Sequence, residues 1–200
     1  MGADRLPRRV GVVLFEGFEP LDVFGPVEIL GSLPDRYAVS FHASNPGAVA
    51  SAVGVRVDAP EPLGREVDIL LVPGGAGTRA LVEDEEFLGR LAEWGRRTPM
   101  VVSVCTGSAL LAAAGLLDGY RATSNKRAFG WASGFGEQVE WVHRARWVED
   151  RDRWTSSGVA AGMDMTAALV RRLDGEQVAD DVCRRIELTV QRDPTVDDFA

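Results

Sequence analysis

Two short runs of this chain have no polar face. "DILLVPGG" (68–75) and "PMVVSV" (99–104) are apolar almost throughout. A strand with one wet face alternates apolar and polar residues. A continuous apolar run must instead be covered on both sides, the condition of a central strand in a parallel sheet. Around these runs the periodicity changes. "RVGVVLF" (9–15) and "YAVSFHA" (37–43) read as further strands, and "EPLDVFGPVEIL" (19–30) and "DEEFLGRLAEWGRR" (84–97) as helices. The first helix starts at Pro20, a favoured first-turn residue, and contains Pro26, which predicts a kink or a restart. The second opens on acids and closes on arginines, as the helix dipole favours. "AVASAVGVRVDA" (48–59) alternates like an exposed hairpin. Strand and helix thus alternate through residue 117, which predicts an α/β fold with a mostly parallel sheet between helical layers. Beyond it, "RWVEDRDRWTSS" (146–157) predicts a hairpin turning near Glu149 to Asp152, followed by helices over 158–173 and 176–190. No linker interrupts the sequence, so residues 1–200 read as a single domain.

Composition narrows the function. Thirty acidic residues against 22 basic ones give a net charge of −8, which works against nucleic acid, a partner that needs a basic face. There is no basic amphipathic helix and no apolar run near the roughly 20 residues of a membrane span, so no membrane partner is expected. The start, "MGADRLPRRV", has no apolar signal core, and Leu6 stands where a myristoylation signal needs Ser or Thr. Only Cys105 and Cys183 are present, in no CxxC pair, so a reducing cytoplasm is the simplest location. His42 and His143 lie too far apart in sequence, and the cysteines too, to compose a zinc site; no metal or cofactor is expected.

The chemistry concentrates where "PMVVSV" ends. A strand that delivers one nucleophilic residue into a sharp turn and then a helix is a nucleophile elbow; Ser103-Val104-Cys105-Thr106-Gly107 keeps only the second glycine of the G-x-S-x-G pattern. Amides at the helix start would favour a thiolate and lower its pKa. A free cysteine also packs well as a buried apolar residue, and the turn alone does not choose between the two. "LLVPGGAG" (70–77) ends the other apolar run with Gly74, Gly75 and Gly77, whose amides can face an anion or a developing negative charge. Such a loop also occurs without any ligand, and neither the phosphate-loop nor the G-x-G-x-x-G pattern matches. Asp22 follows the first strand and falls at the same sheet edge as Cys105; it reads as a partner of the thiol or as a first-turn helix acid. Asp164 reads as another first-turn acid or as a contact to the pocket region, Cys183 as a helix-packing residue, and His143 as a structural histidine in a strand or its approach. Four of the five tryptophans fall between 131 and 154 and read as core or interface residues.

As a set, "LFEGFEPLDVFGPVEIL", "DILLVPGGAG", "VVSVCTGSALLAAAGLLDGYRAT" and "WTSSGVAAGMDMTAAL" resemble the ThiJ/PfpI branch of the class I glutamine amidotransferase-like superfamily. The resemblance covers almost the whole length, and its nearest look is that of isocyanide hydratases and the amidase-like domains of AraC-type regulators. It implies a flavodoxin-like three-layer α/β/α sandwich, a homodimer and a small-molecule substrate. It implies Cys105 as nucleophile, Asp22 as its hydrogen-bonding acid/base, and the backbone amides of Gly75 and Thr106 as an oxyanion-type pocket. Gly74, Ala76 and Asn125 would line that pocket. The activity implied is hydration of an isocyanide to an N-substituted formamide. Members described as proteases or glyoxalases carry a histidine after or near the cysteine, whereas Thr106 follows here. Where hydratase-like relatives and regulator domains show a Thr-His-Trp type sequence, this chain has Ser124-Asn125-Lys126. An ionised Asp22 opposes a neighbouring thiolate, so the pair is expected to hold one proton between them. The alternative is a ligand-binding or redox-sensing protein without turnover; Asp22 favours the enzyme, because a sensor needs no proton donor there. With an acidic "RDPTVDDFA" after the last helix in place of helix-turn-helix units, direct transcription-factor function is not expected.

Overall fold

Both apolar runs become interior strands of a seven-stranded sheet. The computed structural model describes residues 6–200; the reading of the first few residues falls largely on positions 1–5, outside the described residues. Along the chain, β1 (Arg8–Val13) leads into α1 (Pro20–Gly31) and β2 (Tyr37–Ala43). An antiparallel pair, β3 (Gly47–Ala50) and β4 (Arg56–Ala59), precedes the short β5 (Glu61–Pro62). Then come β6 (Ile69–Val72), α2 (Thr78–Leu81), α3 (Glu85–Arg97), β7 (Met100–Val104) and α4 (Gly107–Ala113). The second half holds β8 (Arg121–Ala122), a 3₁₀ turn (Lys126–Ala128), α5 (Phe129–Ala132), β9 (Glu140–Trp141), the hairpin of β10 (Trp147–Asp150) and β11 (Arg153–Ser156), and finally α6 (Ala161–Asp174) and α7 (Glu176–Arg185).

The strand order is β10-β11-β7-β6-β1-β2-β5. Every neighbouring pair is parallel except β10 with β11. Helices flank the sheet: α1 packs on α6 and α6 on α7, while α2 and α3 pack on α4. From β1 the chain steps to β2 on one side and returns through β6 to the other. That reversal opens a crevice at the carboxyl ends of β1 and β6, the place where open α/β sheets bind ligands. The residues after β1, β6 and β7 are those that contain Asp22, Gly74 and Cys105.

Local sequence accounts for most of these elements. Asp84 caps α3 by accepting from the Phe87 amide at 3.0 Å, with Glu85 and Glu86 in the first turn and Arg96 and Arg97 in the last. The α3 residue Trp94 is fully buried and donates from Nε1 to the Arg65 carbonyl. Its ring fits against β1 because position 11 is glycine; a Cβ there would lie 2.9 Å from the indole. Ile69, Leu70, Leu71 and Val72 are all buried, each contributing about 1.5–3 kcal/mol relative to exposure.

Three expectations about helix limits need correction. α1 does not restart at Pro26 but continues as one helix to Gly31; the missing N–H removes only the bond to the Asp22 carbonyl, in the first turn. The helix expected from 158 begins at Ala161, after a turn. The helix expected to reach 190 ends at Arg185, because Glu187 adopts φ 54° and the Leu188 amide turns back to the Cys183 carbonyl at 2.9 Å. This is a left-handed helix stop. Among the described residues no helix is long and apolar enough to cross a membrane, and no three His, Cys, Asp or Glu side chains gather to hold a metal ion.

The acidic segment after α7 folds back along the molecule. Asp164 accepts from the Gln191 amide at 2.8 Å and pairs with Arg146 at 2.7 Å, so this first-turn acid anchors the tail rather than the pocket. The Pro194 carbonyl accepts from the Arg146 amide at 2.7 Å. Asp197 then inserts a covered carboxylate between Lys126, at 3.6 Å, and Arg146, at 3.7 Å. Lys126 is itself buried and donates to Thr123 Oγ1 at 2.8 Å and the Ala145 carbonyl at 2.6 Å. The unusual Lys126 thus has its counter-charge in the tail. Lys126→Met and Asp197→Asn are each expected to destabilise the protein, since each leaves a buried charge short of a partner. In a double-mutant cycle by denaturant unfolding, the pair together is expected to cost less than the sum by about 1–3 kcal/mol. Strict additivity would show that the two side chains are not coupled.

Candidate active site

Cys105 occupies a strained position. It follows β7 directly and has φ 58°, a conformation that costs a residue with a Cβ about 1–2 kcal/mol. Four hydrogen-bonding groups hold it there. Its amide donates to the Ser156 and Ser157 carbonyls, both at 3.2 Å. Its carbonyl accepts from Ser108 Oγ and Ser124 Oγ, both at 3.0 Å. Gly107 lets α4 leave the elbow at once: a Cβ there would lie 2.2 Å from the Val72 carbonyl oxygen. The elbow is therefore pressed against the end of β6.

Asp22, in the first turn of α1, lies fully buried beneath the elbow. Its Oδ2 accepts from the Gly74 amide at 2.9 Å. A Cβ at Gly74 would lie 2.9 Å from that oxygen and 2.5 Å from the Thr106 nitrogen, so only glycine allows acid, loop and elbow to meet. The other oxygen, Oδ1, has no hydrogen bond of full geometry. The nearby Cys105 thiol favours the charged form of the carboxyl, as the smallest of the influences on it.

Burial dominates the electrostatics of the pair. Loss of solvent raises the Asp22 carboxyl to about 7, against the opposing Gly74 amide; Glu19 adds to the rise. The thiol of Cys105 is pushed up to about 12, first by burial and then by Asp22, while the amides of Thr106 and Val159 pull the other way. The lowered thiol pKa expected from a helix start is thus overturned. α4 has only seven residues, and its amides do not offset desolvation and a neighbouring acid. Near neutral pH the thiol keeps its proton and Asp22 is the group that titrates. The pair therefore holds one proton above about pH 7 and two below it.

The glycine loop also differs from expectation. The Gly74 amide is engaged with Asp22, that of Gly75 donates to Thr106 Oγ1 at 3.1 Å, and that of Gly77 donates to the Gly17 carbonyl at 3.2 Å. These three glycine amides hold the loop against Asp22, the elbow and the β1–α1 turn, while Ala76 between them faces the cavity. The amides directed at the sulfur are those of Thr106 and Val159. Val159 has φ 35°, an outlier for a β-branched residue, and its amide joins that of Thr106 at the sulfur. Sequence reasoning missed it because a backbone donor carries no residue-type signal.

A cavity of about 440 Å³ opens onto the thiol, lined by Cys105, Thr106, Gly75, Ala76, Asn125 and Val159, with Glu19, Arg79, Arg127 and Ala128 at its sides. Ala76 and Asn125 thus line it as expected, while Gly74 lies behind the wall. Larger clefts of about 570 and 820 Å³ open beside α3 and at the amino ends of the strands, away from the cysteine. Asn125 caps the 3₁₀ turn by accepting from the Ala128 amide at 3.0 Å. His143 is exposed in a turn against Phe129, at 4.7 Å between ring centroids, and not in a strand. His42 is buried on β2, its Nδ1 at 3.0 Å from the Pro62 carbonyl and its Nε2 at 2.7 Å from Ser40 Oγ, and burial lowers its pKa. Neither histidine lines the cavity. Cys183 packs in α7, buried.

The DJ-1/PfpI family profile matches residues 8–172. Isonitrile hydratase of Pseudomonas putida is 34% identical over 192 residues, covering 90% of this chain and 78% of that protein. The HTH-type transcriptional regulator GbdR of Pseudomonas aeruginosa is 32% identical over 185 residues, covering 88% of this chain; the match spans 49% of the regulator's own length. Among solved structures, a ThiJ/PfpI family protein from Pseudomonas syringae superposes with a TM-score of 0.84 at 31% identity, covering 96% of this chain and 81% of that one.

The buried carboxyl has a measurable signature. In the unfolded chain it titrates near 3.8 and in the folded protein near 7, so the folded state holds the extra proton between those values. Its contribution to stability is complete below about pH 4 and is lost as pH rises through 7. Asp22→Asn does not titrate there, so its stability relative to wild type is expected to grow between pH 4 and pH 8, by up to about 4 kcal/mol. A pH-independent difference in thermal unfolding would show that Asp22 titrates as an ordinary carboxylate.

Proposed function

The chain belongs to the DJ-1/PfpI family, and on that premise we propose that it is a cysteine-dependent hydratase of a small electrophile, with isocyanide as the best-supported substrate class. The observation that carries this reading is the buried Asp22 carboxyl, raised to about 7 beside a protonated thiol. A base whose pKa lies near the working pH is well matched to moving a proton to and from a reacting group. The similarity to an isonitrile hydratase supports the substrate class.

In this reading the Asp22 carboxylate takes the Cys105 proton as the sulfur bonds to the terminal isocyanide carbon. Asp22 returns that proton to the same carbon, leaving a thioimidate, R–N=CH–S–Cys105. Ionised again, Asp22 deprotonates a water whose oxygen adds to the thioimidate carbon, and the proton passes to the nitrogen. The adduct collapses: the hydroxyl loses its proton, the carbonyl forms, the C–S bond breaks and the thiol is restored through Asp22. The product is an N-substituted formamide. The Thr106 and Val159 amides stabilise negative charge on the sulfur during attack and departure.

A redox-sensing role is less well supported. Peroxide chemistry depends on thiolate character and access, whereas Cys105 is 6% exposed and its thiol is pushed up to about 12. The test follows formamide formation from phenyl isocyanide. Cys105→Ala is expected to abolish turnover, and Asp22→Asn to lower it by about 10²–10⁴-fold. Wild-type kcat/KM should rise through about pH 7 as Asp22 ionises. No turnover by wild-type protein with a reduced Cys105 would remove isocyanides as the substrate class.

A further inference from the structure

Two guanidinium groups flank the cavity above Cys105, and neither is held by a carboxylate. Arg79 on α2 and Arg127 in the 3₁₀ turn both line the cavity, and both are exposed. Among the described residues, neither makes an ion pair. Most other arginines in this acidic chain are paired, so a pair of unanswered cations beside one cavity is a local exception to the net charge of −8. One carboxylate, Glu19, shares the cavity wall and is outnumbered.

Arg79 is held in place. Its guanidinium carbon lies 3.4 Å from the ring centroid of Trp131, and Trp131 is itself braced edge-on by Phe135 at 5.0 Å. Arg79 Nη1 donates to Thr78 Oγ1 at 3.4 Å, and Thr78 Oγ1 donates to Thr106 Oγ1 at 3.2 Å. The guanidinium therefore stands one hydroxyl away from the residue that follows the nucleophile. A stacked guanidinium gives up less conformational freedom on pairing than a free one, and its planar fork matches a carboxylate. The amides of Gly74, Gly75 and Gly77 are engaged internally, so the charge available to an anion in this cavity comes from side chains. Side-chain recognition of a flat anion is what the cavity offers.

We propose that the electrophile accepted by this cavity carries a carboxylate, which docks on Arg79 with Arg127 beside it while the reacting carbon reaches Cys105. The cavity, about 440 Å³, has room for a small organic acid. This inference rests on Cys105 being the nucleophile of the proposed hydratase.

The test uses alkylation, which needs no hydration step. Cys105 is treated with 4-(bromomethyl)benzoate or its neutral analogue 4-(bromomethyl)benzamide, and modified peptides are quantified by mass spectrometry to separate Cys105 from Cys183. In both reactions sulfur bonds to the benzylic carbon, bromide leaves with the C–Br electron pair, and the thiol proton passes to Asp22 or water. The benzoate is expected to react about tenfold faster, equivalent to ~1.4 kcal/mol. Arg79→Gln should remove that preference with the benzamide rate nearly unchanged, Arg127→Gln and Trp131→Leu should weaken it, and Arg56→Gln, the same charge change on the β3–β4 hairpin, should not. Equal wild-type rates, or a preference that survives Arg79→Gln, would overturn the inference. A benzoate preference without turnover of either phenyl isocyanide or 4-isocyanobenzoate, which carries the carboxylate, would support the anion site and remove the hydratase reading. Turnover of phenyl isocyanide with no benzoate preference would do the reverse.

Discussion

A cysteine held in a left-handed conformation is the constraint on which the rest of this structure depends. The conformation is unfavourable for any residue with a Cβ, so it persists only where its surroundings over-determine it. Here the carbonyls of Ser156 and Ser157, at the end of β11, fix the amide, and the hydroxyls of Ser108 and Ser124 fix the carbonyl. Each clamp recruits an element. β11 has to pair beside β7, α4 has to start at Gly107, and the segment after β8 has to pass over the elbow. The Ser124-Asn125-Lys126 stretch divides these tasks. Ser124 holds the elbow, Asn125 walls the cavity, and Lys126 locks the segment to Asp197.

The second constraint is dryness. Burial keeps an acid and a thiol within reach of each other and shifts both toward their neutral forms, the carboxyl to about 7 and the thiol to about 12. The nucleophile gains reactivity by proton transfer to its neighbour rather than by standing ionised. That arrangement limits adventitious alkylation and oxidation, which depend on a standing thiolate.

Much of the fold was legible because it rests on periodicity. The apolar runs around Leu70 and Val102 dictate a buried parallel sheet, and strand ends then place Asp22, the glycine loop and Cys105 at one edge. What escaped the sequence falls into two kinds. Some of it is backbone chemistry: the Val159 amide on the sulfur and the internal engagement of the Gly75 amide leave no mark in residue type. The rest is pairing between distant segments, such as Lys126 with Asp197 or Arg79 with Trp131, which no local pattern encodes. The direction of the thiol pKa failed for a related reason. A helix start is visible in sequence, but the depth to which neighbouring segments bury it is not.

The clamps on the elbow also impose an order of assembly on the growing chain. Cys105 is synthesised well before Ser124, Ser156 and Ser157, which hold its backbone, and before Val159, whose amide faces its sulfur. The last lock on the segment above it, Asp197, comes later still. During vectorial synthesis the sheet around β1, β6 and β7 has its strands long before the cysteine has its partners. The geometry around the thiol therefore cannot be completed until Val159 has been made, about fifty residues after the cysteine itself.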